Sequence, residues 1–376
     1  MLSILASQYG GFDKYQENLM IRNELKTQKK KLIIVALTAV FALPVPALAD
    51  NANFTFYGKV NVDVESVKSD KVATPATTAT SMNRLQSNAS RFGFKGSEDL
   101  GDGLHAIYQF EAQIDSVNDK NAKVPFNGIR NSHIGLKGSF GTVFAGNWDT
   151  PYKLVHNKIE LFDNTTVFSA IQLVGVTGNG KNFNTRQNNA IQYWTPNING
   201  LTVQGSYALD SAKTATVNKT ALSLSGAYEN DMLYAGLGYE SRADQTTTTK
   251  SDSAMRLLGA FKFPNGQVGV MMENMTIANG VATTAKQRNM ELAVTYKMGS
   301  SNLGAFLAKN GTYNDVANTG AKQLSLRYGY NFSKRSELYA AYTSLSNDSA
   351  ANYGFYTGSA AGSKQTGLGL GMIHSF

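Results

Sequence analysis

From residue 54 onward the chain repeats one pattern, an apolar residue followed by a polar one for the length of a strand and then a turn. Phe54, Phe56, Gly58, Val60 and Val62 alternate with Thr55, Tyr57, Lys59, Asn61 and Asp63. Leu104, Ala106, Tyr108, Phe110, Ala112 and Ile114 alternate with His105, Gln109, Glu111, Gln113 and Asp115. The same holds for Leu233 to Glu240, Met255 to Phe263, Met290 to Lys297 and Gln323 to Phe332. A strand sends successive side chains to opposite faces, so each segment has one apolar and one polar side. A soluble sandwich alternates too, with its apolar face inward. Two features favour a membrane barrel. The polar faces carry charges of both signs strand after strand, as a wet lumen requires. The apolar faces often end in Tyr or Phe, as an interfacial girdle does.

The connections also alternate. Gly96 to Gly103, Gly138 to Gly141, Pro196 to Gly200, Glu229 to Asp231, Pro264 to Gly266, Met298 to Ser301 and Ser333 to Ser336 are short turns. Between them lie long polar segments such as Val67 to Ser87, Trp148 to Thr185, Ser241 to Ser253 and Ser344 to Gln365. Short turns at one end and long loops at the other are the layout of an outer-membrane barrel; seven turns joining strand pairs, with the first and last strands, give about sixteen strands. The 35 Gly, 18 Tyr and 19 Phe suit a β-rich chain, and the absence of Cys removes disulfides, thiol nucleophiles and thiolate metal sites together.

The N-terminus differs. Lys29-Lys30-Lys31 precedes the apolar run Leu32 to Leu43, then come Pro44, Pro46 and Ala47-Leu48-Ala49. A basic segment, a short apolar core and a small-residue A-x-A site make a secretory signal peptide, too short for the ~20 apolar residues of a membrane helix. Residues 1–49 therefore read as an extension plus signal peptide cut after Ala49, and 50–376 as one barrel domain. Translation begins at Met1 or at a later Met such as Met20. The mature chain carries 35 − 6 = 29 basic and 27 − 3 = 24 acidic residues, a net of +5. No basic run with interleaved aromatics accompanies that excess, so nucleic acid is not an expected partner.

Several runs resemble the general porins of neisserial and related betaproteobacterial outer membranes. Ser90-Arg91-Phe92-Gly93-Phe94-Lys95-Gly96-Ser97-Glu98-Asp99-Leu100-Gly101 resembles their second strand and its periplasmic turn. Arg130-Asn131-Ser132-His133-Ile134-Gly135-Leu136-Lys137-Gly138 and the following Ser139 to Val143 resemble strands four and five. Asn188 to Pro196 resembles strand six, Tyr330 to Tyr339 the last periplasmic hairpin, and the alternation ending at Phe376 the terminal assembly signal. The resemblance spans essentially all of 50–376. It implies an all-β, sixteen-stranded antiparallel transmembrane barrel, trimeric, with a long third loop folded into the pore. Such a barrel sits among outer-membrane lipids, is assembled by the barrel assembly machinery, and passively passes ions and small hydrophilic solutes. Two departures stand out. Phe144 stands where the family often carries Arg after Thr-Val, and Ile373 where it often carries a basic residue before His.

A pore selects at its narrowest point, by width and by the charges facing each other across it. Loop three, Trp148 to Thr185, far exceeds a typical connection of ~4–6 residues. Its apolar Leu154, Val155, Ile159, Leu161 and Phe162 are candidates to pin it to the wall, with Glu160 and Asp163 facing the opening. Strand parity points Lys59, Arg91 and Arg186 into the lumen as an opposing basic wall. Arg130 shares parity with Ile134 and Leu136, which points outward, whereas the family resemblance implies a wall arginine; a bulge reconciles the two. Arg256 and Arg327 face the lumen on strands expected to lie far from loop three. The modest net positive charge and this wall imply a weak to moderate preference for anions.

No His-Glu-x-x-His, Gly-x-Ser-x-Gly or phosphate-loop motif occurs, so neither an enzyme nor a cofactor or metal is expected. Two alternatives to a general pore are an adhesin using the barrel as an anchor, and a substrate-specific porin. A plain anchor has no use for a long loop with apolar pins. A specific pore calls for an aromatic slide or a dense basic track in the lumen, and neither is evident along the strands.

Overall fold

The computed structural model describes residues 53–376 except 76, 116, 118–125, 246–249 and 280–282; the leader over 1–49 and its junction with Asp50 lie outside the described residues. The strands are β1 (Asn53–Ser69), β2 (Ser81–Ser87), β3 (Arg91–Gly101), β4 (Leu104–Ile114), β5 (Phe126–Ile129), β6 (Ser132–Gly138), β7 (Gly141–Asp149), β8 (Arg186–Trp194) and β9 (Leu201–Ala208). The second half of the chain adds β10 (Ala221–Glu229), β11 (Leu233–Arg242), β12 (Asp252–Phe263), β13 (Gly266–Asn279), β14 (Thr283–Met298), β15 (Ser301–Asn310), β16 (Ala321–Asn331), β17 (Ser336–Asn347) and β18 (Lys364–Ser375). All pairings are antiparallel between neighbours, and β1 pairs with β18 from Lys59↔Ser375 to Ser69↔Gln365, which closes the sheet.

Eighteen segments make sixteen staves, because two staves are interrupted. β2 and β3 both pair with β1, at its upper and lower halves, and Asn88 N donates to Asn61 O across the gap at 2.8 Å. β5 and β6 both pair with β4 in the same way. The expected short turns lie at one end. That between β3 and β4 is tighter than the sequence pattern suggested: strand pairing continues to Gly101↔Leu104, and the reversal runs through Gly101, Asp102 and Gly103, all with left-handed φ.

The surface inverts that of a soluble protein. Ile134 is 71% exposed and Phe56 66%, while Asp63, Glu65, Glu240, Glu273 and Gln323 are buried. Apolar side chains facing out and polar ones facing in suit lipid outside and water inside a closed barrel. At closure, Gly58 and Phe376 exchange backbone hydrogen bonds, both 3.0 Å. The Phe376 ring lies over Gly58, where a Cβ would come within 2.2 Å of it. Leu368, Leu370 and Met372 continue the outward apolar stripe of β18.

The one large apolar cluster among the described residues lies on the inward side. Val155, Ile159, Phe162, Val167, Phe168, Leu173 and Val174 of the long segment after β7 pack with Leu258, Met271, Phe306, Tyr339 and Leu345 of β12, β13, β15 and β17. The segment starts with helix α1 (Pro151–His156), which has Pro at its first turn, and Thr150 accepts from Lys153 N at 3.2 Å as its cap. Glycines make room for it: a Cβ at Gly269 would lie 2.4 Å from Ile159, and one at Gly369 2.6 Å from Phe168. Among the expected pins, Val155, Ile159 and Phe162 are buried, while Leu154 and Leu161 are partly so.

Candidate pore constriction

Asp163 and Asn164 adopt φ of 58° and 56°, a left-handed pair that reverses the segment after its pinned half. Asp and Asn tolerate this conformation better than other side-chain-bearing residues. The turn delivers Asp163 to the inward faces of β1 and β3, where its carboxylate takes the Lys59 ammonium and the Arg91 guanidinium, the latter at 3.0 Å. Burial raises the Asp163 carboxyl, but Lys59 and Arg91 outweigh it and hold the group below the ordinary aspartate range.

The charges continue along the wall. Arg91 Nε lies 3.7 Å from Glu111 on β4, and Arg130 Nε donates to the other oxygen of Glu111 at 2.8 Å. Tyr57 donates to Glu111 at 3.1 Å. Arg186 on β8 donates to Asn131 Oδ1 and lies 3.6 Å from Asp149, to which Lys153 of α1 and the Asn131 amide also donate. Lys59, Arg91, Arg130, Lys153 and Arg186 against Glu111, Asp149 and Asp163 give 5 − 3 = +2. The side chains of Lys59, Arg91 and Arg186 stay partly exposed, so their charge reaches the lumen.

Arg130 points inward at 8% exposure. Ile129 and Ile134 both face out although five residues apart, an odd spacing that a regular strand cannot give. The break between β5 and β6 at Arg130 and Asn131 absorbs the extra residue, which is the irregularity the two sequence arguments needed.

Three sequence expectations are corrected. Glu160 does not face an opening: its side chain is 2% exposed, accepts from Phe162 N at 2.8 Å and Ser169 Oγ at 3.0 Å, and lies 3.8 Å from His156. Burial raises its carboxyl above the ordinary value, against the pull of His156. Arg256 is not remote from loop three. Its guanidinium donates to Tyr152 O at 3.2 Å and to Asn184 Oδ1 at 3.0 Å while pairing with Glu273. Arg327 likewise lies 5.8 Å from the Phe162 ring and pairs with Glu337 at 2.8 Å. The segment reaches across to β12, β13 and β16, so strand order around the barrel is a poor measure of distance from it. Glu273 gathers Arg256, the Tyr152 hydroxyl, Gly175 N and Asn289, and His156 reaches Glu291 at 2.8 Å. Together these fasten the segment to the wall.

Glu111, Asp149, Lys153 and Asn131 were not singled out from the sequence. Parity with Gln109 and Gln113 already put Glu111 inward, but nothing in the sequence pairs it with Arg130.

The profile of the Gram-negative porin family matches residues 36–350. Outer membrane porin protein 32 of Delftia acidovorans is 28% identical over 361 residues, covering 93% of this chain and all of that protein. Major outer membrane protein P.IB of Neisseria sicca is 28% identical over 343 residues, covering 82% and 91%. The anion-selective porin from Comamonas acidovorans superimposes with a TM-score of 0.77 at 27% identity, over 87% of this chain and all of that one. The chain belongs to the Gram-negative porin family and is a sixteen-stranded β-barrel channel of the outer membrane.

Proposed function

We propose that the barrel is a general diffusion channel whose narrowest zone lies between the Asp163 turn and the wall of β1, β3, β4 and β8, with a weak to moderate preference for anions. The observation that carries this reading is the +2 balance gathered at one level of the inner wall. Charges lining a water-filled narrow passage act on ions with less screening than charges on an open surface. The anion-selective porin from Comamonas acidovorans shares the fold and supports the sign. The fastened segment supports a constriction, because a loop held by a buried ion pair and an apolar cluster keeps a fixed bore. Uptake into proteoliposomes tests it: neutral solutes enter at rates falling with size and without saturation, and an anionic solute outruns a cationic one of equal size. Saturation by neutral solutes would point instead to a substrate-specific pore.

The mature chain starts at Asp50, works as a homotrimer, and carries Phe376 as its signal to the assembly machinery. The trimer reading is supported by the shared fold of OmpT from Vibrio cholerae, solved in a trimer form, at a TM-score of 0.65. Intact mass of the outer-membrane protein checks the start.

A further inference from the structure

The inward wall of β6, β7 and β8 carries an arrangement that ion selection does not use. His133, Phe144, Trp148 and Trp194 all point into the barrel, whereas Ile134, Ala145 and Tyr193 beside them face out. The four rings form one cluster. Centroids are 4.8 Å apart for His133–Phe144, 4.7 Å for His133–Trp148, 5.5 Å for Phe144–Trp148, 5.2 Å for Phe144–Trp194 and 6.1 Å for Trp148–Trp194. The chain has two tryptophans and both are here, although the usual place for Trp in such a barrel is the outward interfacial girdle. Phe144 is buried at 4% beneath the others, while His133, Trp148 and Trp194 remain partly exposed on the lumen side. Aromatic surface left facing water is a standing driving force for covering it with another ring.

The cluster adjoins the charges. His133 pairs with Gln109, two residues along β4 from the Glu111 that holds Arg130, a step of about 7 Å. Trp148 is followed directly by Asp149, beside Arg186. A planar ring with a carboxylate attached spans that step. Its ring can lie against the tryptophans, and its carboxylate can reach a guanidinium, which suits planar anions.

We propose that this cluster is a transit subsite for small aromatic carboxylates, with the ring on Trp148 and Trp194 and the carboxylate toward Arg130 and Arg186. The inference rests on the anion-preferring reading above. A neutral sugar can also lie on an indole face, but it leaves the neighbouring cations unused, so the anionic ring is the better match.

Both tryptophans lie in the subsite, so tryptophan fluorescence of the folded protein in detergent reports on it alone. Titration with benzoate is expected to give a saturable change. Benzyl alcohol and glucose lack the carboxylate and acetate lacks the ring, and each gives none at equal concentration. In planar bilayers benzoate should interrupt the KCl current, and Trp148→Leu should weaken that block about three- to tenfold, the size expected for losing one aromatic contact. Trp148→Phe should retain most of it and guards against a mere folding defect. Equal effects of benzoate and acetate, or of benzoate and glucose, would overturn the proposal, as would block unaltered by Trp148→Leu. The KCl reversal potential of the same channels is read separately. If it lies on the cation side, the anion-preferring reading fails; if it lies on the anion side without benzoate block, only the aromatic subsite does.

Discussion

Asp163→Asn tests the charge balance with the least disturbance of shape. Asparagine keeps the side-chain outline and tolerates the left-handed φ of 58°. The substitution raises the local sum from +2 to +3 and releases Lys59 and Arg91 from their shared acid. For an ion passing about 7 Å away through water, one unit charge contributes about 332/(80 × 7), or about 0.6 kcal/mol. Screening at about 0.1 M salt roughly halves this. An anion then gains about 0.3 kcal/mol and a cation loses as much, so the anion-to-cation ratio rises about threefold. The assay is reversal potential across a planar bilayer under a KCl gradient. An unchanged potential, or a move toward cations, would refute the placement of Asp163 beside the ion path.

Arg91→Ser combined with Arg186→Ser lowers the sum to zero and should move the reversal potential toward cations, whereas Glu160→Gln, at a buried acid, should leave it nearly still. Arg256→Met strands a buried Glu273 and should cost roughly 3–5 kcal/mol of stability, seen as a lower heat-unfolding temperature on gels; adding Glu273→Gln should recover most of it. Burial disfavours the His156 imidazolium, but Glu291 and Glu160 outweigh it and raise the group above its ordinary 6.5. Its hold on the loop is therefore complete below pH about 6.5 and lost as pH rises through the raised value, so open-channel current noise should grow on the alkaline side and lose that pH dependence in His156→Asn. Phe376→Asp places a charge at the closing seam on the lipid side and should deplete the barrel from outer-membrane fractions.

Period-two alternation made most of the barrel legible, because a strand face is decided by parity alone: Lys59 and Arg91 follow from their neighbours, whereas a bulge at Asn188 and Asn189 separates Arg186 from the parity of Ile191 and Tyr193. Parity fails where the backbone slips. Arg130 lies at a break between two strand segments, and no local residue pattern announces that interruption. The reach of loop three was also hidden. Its apolar residues implied a wall to pack on, but which wall depends on Gly269, Gly304 and Gly369 meeting Ile159, Leu161 and Phe168, contacts made across the full width of the barrel. Glu160 and Asp163 looked alike in sequence. Only the left-handed turn at Asp163 separates an acid at the basic wall from one buried beside His156. The aromatic cluster is not legible in the sequence, because its four members come from three strands and meet only through the register of β6, β7 and β8.

The measurement that bears most directly on the channel reading is the reversal potential of the wild-type protein in a planar bilayer separating unequal KCl solutions. A +2 charge cluster at the constriction predicts a stable ohmic conductance with the potential displaced to the anion side by a moderate amount, and a displacement that shrinks as both salt concentrations are raised, because screening shortens the reach of the wall charges. A potential on the cation side, or no conductance at all, would contradict it.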